Sequence, residues 1–149
     1  MQMTDAHRAQ LQDILTWRRD IRHFRTDPLP DGMLDKLRDA MDSAPSVGNA
    51  RPWRVFRVVD PDLRTKVRDD FAKQNAAAAQ AYGDADRAAY EKLKLSGLDA
   101  APEHLAVFTE TAPVEGRGLG RQTMPQTLEQ STAMAIYSLW LMARACNIG

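Results

Sequence analysis

A long apolar helix near the end of the sequence constrains the fold more than any other feature. Thr123 and Gln126 have the spacing of a capping box, with Pro125 in the first turn. The helix that they predict runs to about Asn147 and is almost wholly apolar after Thr132. Such a helix is usually buried on most sides, in a core or in a subunit interface. The rest of the chain, or a second subunit, must therefore supply the surfaces that cover it.

Helices and short strands precede this final helix. The predicted order is helix, helix, strand, helix, strand, helix, over residues 4–18, 31–43, 54–59, 62–95, 104–109 and 123–147. We expect Asp31 to be the N-cap of the second helix and the long third helix to break near Gly83. This is a mixed α and β layout. Because two strands make a poor sheet, we expect at least one more strand to belong after Gly149.

Composition and charge bound the class of protein. The 149 residues suffice for one domain and are too few for two ordinary ones. Twenty basic and 20 acidic side chains cancel, which argues against a sequence-independent grip on nucleic acid. No apolar run is long enough to span a bilayer, and residues 1–9 lack the apolar region of a signal peptide. Cys146 is the only cysteine, so we expect a reducing, cytoplasmic location. The three histidines have no metal-ligand spacing, and we predict no metal site.

The segment Arg18-Arg19-Asp20-Ile21-Arg22 is the first candidate for chemistry. Three guanidinium groups within five residues can converge on one anion, and arginine suits phosphate because its planar fork donates two parallel bonds. The alternative is a solvated basic face at the end of a helix. Asp20 is either an ordinary ion-pair partner or a carboxylate held near a reacting centre.

Two later segments are further candidates. Residues 44–53 contain Pro45 and Ser46 and predict a tight turn with exposed amides beside a strand, a place where flat heterocycles often bind. The alternative is an ordinary connecting loop with a core tryptophan. Residues 112–122 are rich in glycine and proline; they are a weak nucleotide fingerprint but a plausible mobile loop over a site. Leu95, with Lys92 and Lys94, lies at a helix end that is by default solvated.

Taken together, these segments resemble the nitroreductase superfamily, and within it the flavin-fragmenting branch of 5,6-dimethylbenzimidazole synthases. The sequence Arg-Arg-Asp-Ile-Arg-His-Phe followed by Ala-Pro-Ser-Val-Gly-Asn-Ala-Arg-Pro-Trp is similar to the two FMN-binding segments of the superfamily. Aspartate at position 20, where the superfamily usually has serine, is the pattern of that branch. Lys-Leu-Lys-Leu, Gly-Leu-Gly-Arg-Gln-Thr-Met-Pro and Ser-Leu-Trp-Leu-Met-Ala-Arg-Ala follow in the same order. The resemblance covers residues from about 14 to 149.

The resemblance implies an α+β fold with helices packed around a central mixed sheet, and a homodimer with FMN in a cleft at the subunit interface. It implies that Arg18, Arg19 and Arg22 hold the phosphate and ribityl end, with Asp20 and Ile21 beside them. Pro45 and Ser46 would lie against the isoalloxazine ring, with Leu95 nearby. Reduced FMN would then be the substrate, broken down with O2 to 5,6-dimethylbenzimidazole, the lower ligand of cobalamin. Asp20 would take or relay a proton. A separate flavin reductase is the expected partner.

The chain departs from this pattern at two places. Arg51 replaces the usual glutamine before Pro-Trp and brings a charge close to the flavin ring. The family continues beyond Gly149 with a strand, a serine of the active site and a further arginine, so we expect residues 1–149 to be one FMN-binding domain that lacks this C-terminal part. Two alternatives stay open: an NAD(P)H-dependent FMN nitroreductase or dehalogenase, and a shortened, non-catalytic protein that binds flavin or a partner.

Overall fold

The computed structural model describes residues 2–91 and 97–149. In that part of the chain the elements follow the predicted order, with the break in the third helix at residues 80–83. Short 3-10 turns at Val47–Asn49 and Glu115–Gly118, and a four-residue helix, were not predicted. The elements are α1 (Asp5–Trp17), α2 (Met33–Asp42), β1 (Trp53–Arg57), α3 (Pro61–Ala79), α4 (Asp84–Glu91), α5 (Gly97–Ala100), β2 (Leu105–Thr109) and α6 (Gln126–Ala145).

The described residues form two compact units. One comprises Met1–Asp20, Leu29–Val55 and Val107–Gly149, and the other comprises Ile21–Pro28 and Phe56–Ala106. Both units draw on separate stretches of the chain, so each depends on contacts between residues distant in sequence. None of the described helices combines the length and the apolarity that a membrane span requires.

The core of the first unit lies where α2 and β1 meet α6. Met41, Ala44, Trp53 and Ala135 are buried there, and Val107 and Leu139 pack against them. The Trp53 Nε1–H donates to Asp42 Oδ1 at 3.0 Å, so the polar edge of the largest core side chain is satisfied. The periodic apolar positions of α2 supply the face that packs on α6, which fixes α6 as the scaffold of this unit.

The second unit is held by arginines of β1 and α3. Arg57 binds both carboxylate oxygens of Glu103, with Nε to Oε2 at 2.6 Å. Arg64 donates to the carbonyls of Val58 at 2.8 Å and Pro102 at 3.0 Å. A further ion pair joins Arg68 of α3 to Asp99 of α5 at 2.8 Å. Arg64 and Arg68 therefore connect α3 to the residue that follows β1 and to the segment that precedes β2.

The sheet of the described residues is one pair of strands. They run antiparallel, since Glu110 N–H donates to Pro52 O at one end and Val58 N–H donates to His104 O at the other, both at 2.8 Å. The expected mixed sheet would need at least one further strand beside this pair. Trp53 is buried, whereas Phe56 and Phe108 are each 58% exposed. The fold class is α+β, helices packed with a small sheet.

Two local predictions, both of helix caps, were wrong. Asp31 is not the N-cap of α2, because the chain enters the helix through left-handed Gly32 at φ 73° and no side chain caps the helix. Thr123 and Gln126 form no capping box, because α6 begins one residue after Pro125, which has no side-chain acceptor. In the single chain one part of α6 is exposed, with Met134, Ile136 and Tyr137 at 50%, 42% and 42%, so burial of this part in a subunit interface stays a prediction.

Candidate functional site

The arginine segment begins where α1 ends. Arg18 is the C-cap of α1 and has extended backbone, φ −62° and ψ 129°, so the chain leaves the helix axis at this residue. The Arg19 guanidinium turns back and donates to Thr16 O and, at 2.8 Å, to Arg18 O. Arginine commonly satisfies the last carbonyls of a helix in this way. Arg19 therefore caps its own helix, whereas the Arg18 side chain extends away from that helix.

Arg18 lies across a tryptophan of α6. Its Cζ is 4.1 Å from the centre of the Trp140 ring, within the range of a cation–π contact. The side chain is half-buried. Within residues 2–91 and 97–149, no carboxylate forms an ion pair with Arg18, although Arg54, Arg57 and Arg68 each have one. Stacking uses the face of a guanidinium and leaves its N–H edges in the plane free to donate.

The remaining residues of the predicted cluster are divided between the two units. Asp20 is exposed and belongs to the first unit with Arg18 and Arg19. Ile21, 41% exposed, and Arg22 belong to the second. Leu95 lies outside the described residues. Arg18, Arg19 and Asp20 thus lie together after the end of α1 in the first unit, whereas Arg22 belongs to the second unit.

The predicted turn at Pro45 and Ser46 is present and is fixed from both sides. Ser46 Oγ accepts a bond from Arg51 N–H at 3.0 Å, and Val47 N–H donates to Ser131 Oγ of α6 at 3.1 Å. Pro45 is exposed. Asn49 and Arg51 have left-handed backbone, with φ 55° and 43°. Backbone in this region is costly for side-chain-bearing residues and is concentrated at functional sites.

The glycine-rich loop is seated on this turn. A methyl group placed on Gly116 would lie 2.8 Å from Ala50 Cβ, and one on Gly48 would lie 2.9 Å from Gly116 O. Such approaches are possible only because both residues lack a side chain. The loop predicted to be mobile over a site is therefore in backbone contact with the Pro45–Ser46 turn in this structure.

One helix contacts both candidate segments. Ser131 of α6 accepts from the turn, and Trp140 of the same helix stacks on Arg18. The two positions are nine residues apart, about 13 Å at the helical rise of 1.5 Å per residue. Sequence analysis missed both Ser131 and Trp140, since nothing in their local pattern distinguishes them from the other residues of an apolar helix. The arrangement offers a cation at one end and a tight turn with an exposed proline at the other.

Three pKa shifts, those of Arg57, Glu103 and His104, lie in the second unit, away from these segments in sequence, and the bonds to Glu103 raise the pKa of Arg57. The hydrogen bonds from Arg57 hold the pKa of Glu103 below its usual value of 4.5. Burial lowers the pKa of His104 below 6.5, and the charges of Arg64 and Arg68 lower it further. In the part of the chain that the structure describes, no group of three or more His, Cys, Asp or Glu side chains is placed to hold a metal ion.

This fold has counterparts among known proteins. The chain belongs to the nitroreductase family, whose sequence model matches residues 15–149. It is 56% identical over all 149 residues to a 5,6-dimethylbenzimidazole synthase of Rhodobacter capsulatus, and spans 72% of that protein. It is 47% identical over 142 residues to a protein of the same name from Rhodospirillum rubrum, covering 95% of this chain and 67% of that one.

A solved structure shows the same fold. Oxidized iodotyrosine deiodinase bound to FMN and 3-iodo-L-tyrosine superposes with a TM-score of 0.73 at 22% sequence identity, covering 91% of this chain and 70% of that one. This likeness supports the assignment of the α+β nitroreductase fold.

Proposed function

We propose that this chain catalyses the oxygen-dependent fragmentation of reduced FMN to 5,6-dimethylbenzimidazole, the lower ligand of cobalamin. The observation that carries the proposal is the 56% identity, without a gap in coverage, to a relative that bears the name of this synthase. Asp20 within the arginine segment is the residue pattern that favours fragmentation over the NAD(P)H-dependent reductase chemistry of other nitroreductases. The expected location is the cytoplasm.

The described residues fit the two ends of a flavin mononucleotide. Arg18 offers in-plane N–H donors on a guanidinium that no described carboxylate neutralises, which suits a phosphate. Pro45 is exposed at the turn, and Ser46 is held beside it by the bond from Arg51 N–H, which suits the edge and face of a planar ring. In the proposal, Arg19, Arg22 and Ile21 line the ribityl and phosphate end, and Leu95 lies near the ring.

When bound, reduced FMN supplies the carbon atoms of the product and the electrons for the reaction with O2. The protein contributes binding at both ends and a proton acceptor between them. Asp20 follows Arg18 and Arg19 directly, so the phosphate-binding residues and the carboxylate are positioned by the same helix end. In the proposal its carboxylate oxygens take or relay a proton during fragmentation.

A homodimer completes the proposal. The outer faces of α1 and α6 in the first unit carry large apolar side chains exposed to solvent, a feature typical of surfaces that associate. These are Leu11, Leu15, Trp17, Met134, Ile136 and Tyr137, between 41% and 61% exposed. A second subunit seated there would bury them and place FMN between subunits. Reduced flavin would come from a separate flavin reductase.

The test is aerobic incubation of the purified chain with chemically reduced FMN, with the products separated by chromatography. We expect 5,6-dimethylbenzimidazole above a control without protein. Asp20→Asn should reduce the yield at least about a hundredfold, the lower end of the range for losing a general acid or base. Asp27→Asn is the matched control, because Asp27 lies in the same stretch between α1 and α2 and is not part of the proposed flavin site. Recovery of only oxidised FMN, or full yield from Asp20→Asn, would contradict the proposal or the role of Asp20 respectively.

A further inference from the structure

We infer that Trp140 is a positioning residue that makes the binding site selective for phosphorylated flavin, by holding the Arg18 guanidinium with its N–H edges toward the phosphate. The inference rests on the proposed FMN site and assigns a role to a residue of α6 that is remote from Arg18 in sequence. The observation behind it is the 4.1 Å distance from Arg18 Cζ to the centre of the Trp140 ring.

Without the Trp140 indole, the Arg18 side chain would be less ordered. Arg18 is the C-cap that follows the last residue of α1, and its backbone is extended rather than helical. A free arginine side chain has many rotamers, and ordering it on binding an anion costs about 2 kcal/mol of rotamer entropy. A ring that holds the guanidinium before the anion arrives removes part of that cost.

The geometry also selects what Arg18 can bind. The Arg18 Cζ lies over the Trp140 ring, and the attraction between the cation and the ring is electrostatic, so it requires no N–H donor. The five N–H groups remain in the plane, where two can meet two oxygens of one anion. Among the described residues no carboxylate competes for these donors. Arg19, by contrast, uses its Nη1 group for bonds to Thr16 O and Arg18 O.

Trp140 is itself held in place by its own helix. Tyr137 packs edge-on against it, with ring centres 6.4 Å apart and planes at 88°. Trp140 is half-buried on the same helix that accepts the Val47 amide bond. The indole is therefore a fixed platform, and Arg18 is the mobile partner that it orders.

The experiment compares the dissociation constants of FMN and riboflavin, which share the ring and differ in the phosphate, by flavin fluorescence titration. In Trp140→Leu we expect FMN binding to weaken about three- to tenfold, the range of a partly desolvated cation–π contact, and riboflavin binding to change less than about twofold. Trp140→Phe keeps a ring face and should lose less. Ser138→Ala, which alters α6 but removes only a bond to Met134 O, should show no loss specific to FMN.

The double variant Arg18→Ala with Trp140→Leu should bind FMN no more weakly than Arg18→Ala alone, because Trp140 acts only through Arg18. Equal weakening of both flavins, or additive losses in the double variant, would show a merely structural role and overturn the inference. If Trp140→Leu does not fold, the same comparison with Trp140→Phe decides. Wild-type chain that binds FMN but yields no 5,6-dimethylbenzimidazole would refute the proposed function and leave this inference standing. Wild-type chain that binds neither flavin would refute both.

Discussion

The backbone of Arg51 has a conformation that the following residue, Pro52, disfavours. It lies in the left-handed region at φ 43°, directly before Pro52, although a residue before proline strongly prefers extended backbone. Its carbonyl accepts a bond from Arg54 Nη1 at 3.0 Å, which holds it there. The turn that carries Pro45 and Ser46 therefore ends in a residue whose conformation is imposed by its surroundings.

Arg51→Gly should stabilise the protein by about 0.5–1 kcal/mol. Relief of left-handed backbone contributes about 1–2 kcal/mol, and the greater freedom of glycine in the unfolded chain offsets about 0.5–1 kcal/mol of it. For a chain of this length we expect a rise in melting temperature of about 1–4 °C, measured by circular dichroism. Arg51→Gln, which removes the charge and keeps the strain, is the control and should melt within about 1 °C of wild type. A lower melting temperature for the glycine variant would show that no strain is stored at this position.

His104 gives the stability a pH dependence. Its pKa is lower in the folded state than its ordinary 6.5, so the unfolded chain binds the proton more readily. The contribution of neutral His104 to the free energy of unfolding is complete above 6.5 and declines as the pH falls from there toward the folded pKa. Between about pH 7 and pH 5 we expect wild type to lose stability more steeply than His104→Gln in urea unfolding, and above pH 7 the two curves should run parallel. Curves that are parallel throughout would contradict the lowered pKa.

At the scale of elements, the contact between the two 3-10 turns decides whether the Pro45–Ser46 turn is rigid. Gly48 and Gly116 approach each other closely enough that neither tolerates a methyl group without displacement of the other turn. Val47 N–H is bonded to α6 on the opposite side. The turn is thus clamped between a helix and a loop, and a change in the loop should reach the turn.

Gly116→Ala and Gly118→Ala separate this contact from the cost of the backbone conformation. Both glycines are left-handed, at φ 78° and 75°, but a methyl group on Gly116 meets Ala50 Cβ at 2.8 Å whereas one on Gly118 finds only Arg121 Nη2 at 3.7 Å. Both variants should lose about 1–2 kcal/mol from the backbone term, and Gly116→Ala about 1–3 kcal/mol more from overpacking. Urea unfolding measures the difference, and weaker FMN binding in Gly116→Ala alone would follow. Identical behaviour of the two variants would contradict the clamp.

How much of this was predictable depends on the range of the interactions. The helices and strands follow from local periodicity, and the two candidate segments from residue types that sit close in sequence. The errors at Asp31 and Thr123 arose because a cap depends on the backbone angle at one residue, which Gly32 and Pro125 decide. Trp140 and Ser131 escaped because their roles arise only when α6 packs against residues distant in the chain. The pattern of residues predicts which side chains can bind a ligand, whereas tertiary packing determines which residues hold those side chains in position.

At the scale of the whole molecule, the exposed apolar face of α1 and α6 is the feature that the chain alone leaves uncovered. Its side chains are apolar, like those of a protein core. Burying them in an interface would contribute about 25 cal/mol for each Å² of apolar surface removed from water. Since the proposed flavin site adjoins both helices, association and flavin binding should be linked: each would promote the other.

Met134→Lys should shift the chain from dimer to monomer and weaken FMN binding in parallel. A lysine in the centre of an apolar interface leaves a charge without a partner when buried, which commonly costs several kcal/mol. Light scattering after size exclusion measures the mass, with Leu63→Lys as control because Leu63 is similarly exposed, at 45%, but lies on α3. A wild-type chain that is monomeric at all concentrations, or a Met134→Lys variant that stays dimeric, would contradict the proposed homodimer.

The nine-position separation of Ser131 and Trp140 along α6 sets a length in the molecule. Inserting or deleting one residue there would rotate Trp140 by about 100° about the helix axis relative to Ser131 and move it about 1.5 Å. No small adjustment of side chains would restore both contacts. Among proteins that keep the turn and the stacked arginine, this stretch of α6 should therefore be invariant in length even where its residues change, while the loops around it gain and lose residues freely. The length of this stretch of α6 thus fixes the distance between the turn and Arg18, and with it the length of the molecule that the proposed site can bind.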